Sequence, residues 1–134
     1  MPFEWDGKFS IGIKTFDNQH RNLFNLINNL EKSVREGDSR AMVALVLDEL
    51  LRYTVTHFSE EERVLREKGY PDYEHHLKEH NELIEQVREF KESHDAGKSV
   101  VTMELMGFLV NWLTNHINQT DRKYTSFLKS NGVE

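Results

Sequence analysis

Apolar residues recur along this chain at intervals of three and four over long stretches, the period of a helix that buries one face. The first stretch runs from about Asp17 to Glu36, with Leu23, Phe24, Leu26, Ile27, Leu30 and Val34 in step. Thr15 or Asp17 is placed to cap its start, and Gly37 suits the left-handed residue just past its end. Asp38 or Ser39 opens a second helix carrying Met42, Leu45, Val46, Glu49, Leu50, Tyr53, His57 and Leu65, which stops at Gly69. Pro71 and Asp72 introduce a third, with Leu77, Leu83, Ile84, Val87 and Phe90 on its buried side and Gly97 after its end. A fourth begins near Thr102 and continues through Leu105, Leu109, Trp112, Leu113, Ile117, Tyr124 and Leu128. Nowhere do apolar and polar residues alternate long enough for a strand.

Four helices of roughly 20 to 30 residues with short connections predict an all-α fold, an antiparallel up-down-up-down four-helix bundle. Residues 1–16 carry Phe3, Trp5, Phe9, Ile11 and Ile13 without helical period, which predicts an extended N-terminal arm laid across the bundle. Residues 17–129 would then form the bundle and 130–134 a tail, the 134 residues making a single domain.

Composition narrows the class. Hydrophobic residues make up 37% and charged residues 30%, the balance of a globular chain. The net charge of −6 argues against a nucleic-acid partner, whose phosphates want a basic stripe. No apolar run is long enough to insert across a membrane: Asp48 and Glu49 interrupt Leu45 to Leu51, and Asn111 interrupts Phe108 to Leu113. The first residues lack the basic and apolar regions of a signal peptide, and there is no cysteine. The expected location is the cytoplasm.

Chemistry enters with the histidines. His20, His57, His76, His80 and His116 are accompanied by Glu61, four residues after His57, and Asp121, five after His116. In an antiparallel bundle, helix one starts, helix two ends, helix three starts and helix four ends at the same pole. At about 1.5 Å per residue, all seven donors fall roughly 5 to 20 Å from that pole. His57/Glu61 and His76/His80 are separated by about 40° around a helix, so both members face one way. His116 and Asp121 are about 140° apart on an ideal helix; a shared centre needs long reach or a local distortion such as a π-bulge.

Imidazole and carboxylate donors suit iron, zinc, copper or manganese. Five histidines exceed what one zinc takes, and calcium or magnesium would want more oxygen. With Glu61 and Asp121 as bridges, the set is sized for two ions with one coordination position open. His75 and His94 match no ligand position: His75 reads as a solvated neighbour of His76, and His94 as a cation near a helix C-terminus. Glu60 and Glu62 read as a charged face, and Trp5 as a packing anchor.

These motifs resemble the hemerythrins, the non-haem di-iron oxygen-binding proteins. The resemblance rests on Glu4-Trp5-Asp6, Asp17-Asn18-Gln19-His20, His57-Phe58-Ser59-Glu60-Glu61, His76-Leu77-Lys78-Glu79-His80, and the run Asn111-Trp112-Leu113-Thr114-Asn115-His116-Ile117-Asn118-Gln119-Thr120-Asp121. The short form with a Trp-Asp arm is similar to the bacterial members, the bacteriohemerythrins. The resemblance implies that His76, His80 and His116 bind one iron, that His20 and His57 bind the other, and that Glu61 and Asp121 bridge them beside an oxo or hydroxo bridge. It also implies that dioxygen binds at the five-coordinate two-histidine iron and is held as hydroperoxide. Trp112, Leu113 and Ile117 match the family's oxygen-pocket positions, with Phe24 and Phe58 as further candidates.

The function implied is reversible carriage, storage or delivery of oxygen rather than catalysis, and the recipient this implies is an oxygen-consuming protein. The alternatives are a di-iron oxidase, peroxidase or ferroxidase, or an oxygen or iron sensor acting through a partner. Carboxylate-rich di-iron enzymes use four carboxylates and two Glu-x-x-His motifs. Five histidines with two carboxylates leave fewer open positions and favour carriage.

Overall fold

The computed structural model describes residues 4–97 and 103–133, so the expected roles of Phe3 in the arm and of Thr102 at the start of helix four lie outside the described residues. Four helical rods form the bundle: α1 (Lys14–Arg35), α2 (Arg40–Lys68), α3 (Tyr73–Asp95), and a fourth rod that opens with α4 (Met103–Asn115). The fourth rod continues through a π-helical turn (His116–Asp121), one 3-10 turn (Arg122–Tyr124) and α5 (Thr125–Ser130), with right-handed helical backbone at each junction. No strand occurs among the described residues. α1 packs against α2 and α4, and α2 against α3.

The helix ends follow local chemistry. The Ser39 side chain accepts from the Met42 amide and caps α2. Gly69, at φ 73, closes α2 in the left-handed region, and the next amide, of Tyr70, returns to the Leu65 carbonyl at 2.9 Å. α1 starts at Lys14, earlier than Asp17, and neither Thr15 nor Asp17 caps it. Asp17 instead accepts from the Ser10 hydroxyl at 2.6 Å and the Ile11 amide at 2.8 Å, tying the arm to the first turn of the bundle.

The arm does lie across the bundle, but it is not extended throughout: Gly7–Phe9 forms a 3-10 turn capped by Asp6, which accepts from the Lys8 amide. Phe9, Ile11 and Ile13 are buried, and Trp5 meets Phe24 edge-on at 5.3 Å. Thr125 donates to the Ile11 carbonyl and Arg122 to the Lys8 carbonyl, so the fourth rod holds the arm from its other side.

Most of the expected core is buried, including Leu23, Phe24, Ile27, Leu30, Leu50, Leu65, Leu83, Val87, Leu105, Leu109, Leu113, Ile117, Tyr124 and Leu128. Three residues expected inside are not: Met42, Leu45 and Phe90 are 50%, 65% and 39% exposed. The run Met42-Val43-Ala44-Leu45-Val46-Leu47 is apolar all the way round, so its pattern fits either face; packing buries Val43 and Leu47. On α3 the buried stripe passes from Val87 to His94 and leaves Phe90 aside. His94 does lie in the last turn of α3, as expected, but inside the structure rather than at its surface. It is buried, its Nε2–H donates to the Arg40 carbonyl at 2.9 Å, and the Arg40 guanidinium donates back to the His94 carbonyl at 2.8 Å. No helix among the described residues is long and apolar enough to cross a membrane.

Candidate metal centre

The seven expected donors meet at the pole where α1 and α3 start and α2 and the fourth rod end, and all seven are buried. His20 comes from the second turn of α1, His57 and Glu61 from α2, and His76 and His80 from α3. The fourth rod supplies His116 and Asp121 from the two ends of its π-helical turn. That wider turn is how a five-residue spacing brings both side chains into one centre, the distortion their separation on an ideal helix requires.

Each carboxylate divides its two oxygens between two groups of histidines. Glu61 Oε1 faces His76 Nε2 in close contact and His80 Nε2 at 3.2 Å. Its Oε2 faces His57 at 3.4 Å and His20 at 3.8 Å. Asp121 Oδ1 lies 3.0 Å from His116 Nε2 and 3.1 Å from His76 Nε2, while Oδ2 lies 3.1 Å from His20 Nε2. The donors thus sort into a three-histidine group and a two-histidine group, spanned by Glu61 and Asp121. Within Glu61, His76, His80, His116 and Asp121, and again within His20, His57 and Glu61, the donor atoms lie within 4.8 Å of one another.

A test of fit to metal comes from where the ring nitrogens point. His80 Nδ1–H donates to Glu62 at 2.8 Å, and His116 Nδ1–H donates to Glu79 at 2.9 Å. Their Nε2 atoms then present lone pairs, yet these face each other at 3.0 Å. Such a pair needs a cation beside it, a proton or a metal ion. Both Asp121 oxygens and both His20 nitrogens are buried without a hydrogen bond, an arrangement that is costly unless something coordinates them. The residues fit a metal pair.

Without metal, protons neutralise the cluster. Burial alone would lower His20, His76 and His116, but Asp121 and Glu61, joined at His116 by Glu79, lift them to about 9, 10 and 9. His57, with burial dominant, is held neutral down to about 3. Burial would raise Glu61, but the neighbouring His20, His76 and His80 imidazoles draw it well below the usual range. In Asp121, the raising effects of burial and of Glu61 are overcome by His116 and His20, and it too stays ionised. Tyr124 is pushed well up by burial and the adjacent carboxylates; it stays a phenol and donates to Glu61 Oε2 at 3.0 Å.

Several residues that hold the donors escape a reading by sequence. His57 Nδ1–H donates to the Gln19 amide oxygen, and Gln19 in turn donates to Glu60 at 3.2 Å. Glu62 serves His80, and Glu79 serves His116 while its two oxygens share the single Thr120 hydroxyl donor. Glu60 and Glu62 are thus more than a charged face. The signal is present but oblique: Gln19, Glu62 and Glu79 each neighbour a candidate ligand in sequence, yet each supports a histidine on a different helix. His75, as expected, is solvent-exposed, paired with Glu79 at 2.8 Å.

Beside the donors, Phe58, Trp112 and Leu113 line an apolar cavity of about 30 Å³ together with residues such as Leu23, Leu51 and Leu109. Phe24 and Ile117 are fully buried but do not line it. Phe58 stacks on His80 at 3.7 Å and Trp112 on His116 at 4.5 Å.

A model of the hemerythrin HHE cation-binding domain matches residues 11–128. The bacteriohemerythrin of Pseudomonas aeruginosa is 35% identical, the match covering 93% of this chain and 80% of that protein. That of Clostridium acetobutylicum is 34% identical over 91% and 98%. A crystal structure of wild-type hemerythrin superimposes with a TM-score of 0.90 at 30% identity, covering 94% of this chain and 97% of that one. The chain belongs to the hemerythrin family.

Proposed function

We propose that this protein holds two iron ions and binds dioxygen reversibly, as a carrier, store or delivery protein in the cytoplasm. His76, His80 and His116 would hold one iron, His20 and His57 the other, with Glu61 and Asp121 spanning both. When bound, a pair of ferrous ions supplies the electrons that a dioxygen molecule needs to be held and later released. The observation that carries this reading is the division of each carboxylate's oxygens between the two histidine groups.

The chain's own residues do the rest. The two-histidine side has one protein donor fewer, which leaves room there for an external ligand. Tyr124 keeps its proton and fixes Glu61 Oε2, on the face of that carboxylate turned to the two-histidine side. Phe58, Trp112 and Leu113 surround the donors with apolar surface, and a cavity of about 30 Å³ without polar lining beyond Thr54 does not hold water well. Dry surroundings favour release of oxygen over irreversible oxidation.

The experiment is anaerobic loading with ferrous iron, followed by cycles of oxygen addition and removal under visible absorption. A band that appears with oxygen and fades on its removal, over several cycles, is the expected result. A ferric spectrum that forms once and persists would replace carriage with oxidase or ferroxidase activity.

A further inference from the structure

The two histidine groups differ in what holds them from behind. In the three-histidine group, two of the rings give their Nδ1–H to a full negative charge: His80 to Glu62 at 2.8 Å and His116 to Glu79 at 2.9 Å. Glu79 is itself fixed by Thr120 at 2.9 and 3.0 Å and by His75 at 2.8 Å. The faces of the same two rings are covered by Phe58, nearly parallel at 3°, and by Trp112 at 14°. In the two-histidine group, His57 gives its Nδ1–H to a neutral amide, Gln19, and the nearest charge, Glu60, lies one hydrogen bond further out. Among the described residues His20 Nδ1 has no hydrogen-bond partner, and the same holds for His76 Nδ1 in the three-histidine group, so the contrast rests on His80 and His116 against His57.

A carboxylate accepting an imidazole N–H makes the ring a stronger donor and adds negative potential, and both effects favour the more highly charged metal ion. A neutral amide does neither to the same degree. On the two-iron reading above, the geometry points to Glu62 and Glu79 as positioning residues that make the three-histidine iron the first to be oxidised and leave the two-histidine iron ferrous. When a one-electron outer-sphere oxidant such as ferricyanide takes one electron, one ferrous ion becomes ferric and the site gains one positive charge. No bond breaks, and the Nδ1 protons stay where they are. The half-oxidised protein is thereby stabilised relative to an even mixture of fully reduced and fully oxidised chains.

The test compares the intact protein with two charge designs. Glu62→Gln with Glu79→Gln keeps an oxygen acceptor behind each ring and removes only charge. Gln19→Glu with Glu60→Gln exchanges the two residues behind His57, placing a carboxylate there at constant net charge. Each protein is loaded anaerobically with ferrous iron, assayed for metal content, titrated with ferricyanide, and read by electron paramagnetic resonance for the half-oxidised form.

Both designs are expected to lower the equilibrium constant for forming that form by about 10- to 100-fold. In the first the initial oxidation becomes harder, and in the second the later one becomes easier. In zinc-loaded protein, the Nδ1 proton resonances of His80 and His116 should lie downfield of that of His57, and the difference should shrink in both designs. A merely structural role for the glutamates would move neither readout, since the amides preserve the contacts; unchanged yields at two irons per chain would overturn the inference alone. If the double glutamine variant fails to fold, the single variants and the exchange design decide between the same outcomes. If the unaltered protein fails to take up two irons, the metal assay shows it before any oxidant is added, and the two-iron reading falls together with this inference.

Discussion

The two ends of this bundle bury the same side chain for opposite purposes. At the far end His94 is a clasp: one ring nitrogen donates to the Arg40 carbonyl and Arg40 returns a bond to the His94 carbonyl, joining the end of α3 to the start of α2. That contact needs no carboxylate, because a backbone carbonyl suffices. At the near end five histidines turn their Nε2 atoms toward one another and toward two carboxylates, while the outer nitrogens of His57, His80 and His116 are anchored by Gln19, Glu62 and Glu79. The lesson is that burial does not separate a structural histidine from a ligand. The destinations of its two ring nitrogens do.

If that distinction is right, the two ends should respond differently to alteration. The largest effect is expected from Glu61→Ala or Asp121→Ala, which removes the span between the two histidine groups; metal content measured after anaerobic loading should fall from two per chain to one or none. The far end should be indifferent to metal.

The pH dependence of the metal-free protein comes next. His20, His76 and His116, raised to about 9, 10 and 9, contribute stability that is complete below their unfolded value of 6.5 and lost as pH rises through 9 to 10. The depressed Glu61 and Asp121 contribute stability present above 4.5 and 3.8 and lost as pH falls further. His57, held neutral to about 3, adds to the loss below 6.5. Melting temperature without metal should therefore peak near pH 6.5. Metal ions must displace the protons on those imidazoles, so loading at neutral pH should release protons, measurable by calorimetry in buffers of differing ionisation enthalpy.

Leu113→Ala sharpens the role of the apolar cavity. Beyond the roughly 2–5 kcal/mol that truncating a buried leucine costs, it should admit water and speed loss of the oxygen-binding form several-fold in repeated oxygen cycles. An unchanged rate would remove Leu113 from the barrier. At the far end, His94→Ala should cost about 1–3 kcal/mol in chemical denaturation by removing both the imidazole hydrogen bond to the Arg40 carbonyl and the buried ring, with metal content unaltered. Smallest of all, Leu45→Gln on the exposed face of α2 should change stability by no more than about 0.5 kcal/mol, whereas Leu47→Gln should be strongly destabilising.

The last pair also marks how far the sequence can be read. Helix lengths and ends were legible because glycines at 37, 69 and 97 stand where the periodic stretches stop, and each takes a left-handed conformation. The buried face of early α2 was not, since the residues from Met42 to Leu47 are apolar on every side and only packing against other helices decides. The start of α1 shifted because Asp17, a good cap by type, is used to hold the arm. The convergence of the seven candidates was legible from the shared pole of an antiparallel bundle, and the local pairing of His57 with Glu61 and of His76 with His80 from their spacing. Periodicity argued against pairing His116 with Asp121; the pairing came from the family resemblance, and the π-helical turn resolves the conflict. What supports the donors was not legible, because Gln19, Glu62 and Glu79 act across helices, and contacts of that kind follow no local period.

The central claim is that Glu61 and Asp121 divide one buried cluster into places for two metal ions. Its most direct test is the metal content of the purified chain after anaerobic loading with ferrous iron and removal of excess. The account predicts two irons per chain, and one or none in Glu61→Ala. A limit of one iron in the unaltered chain would contradict it.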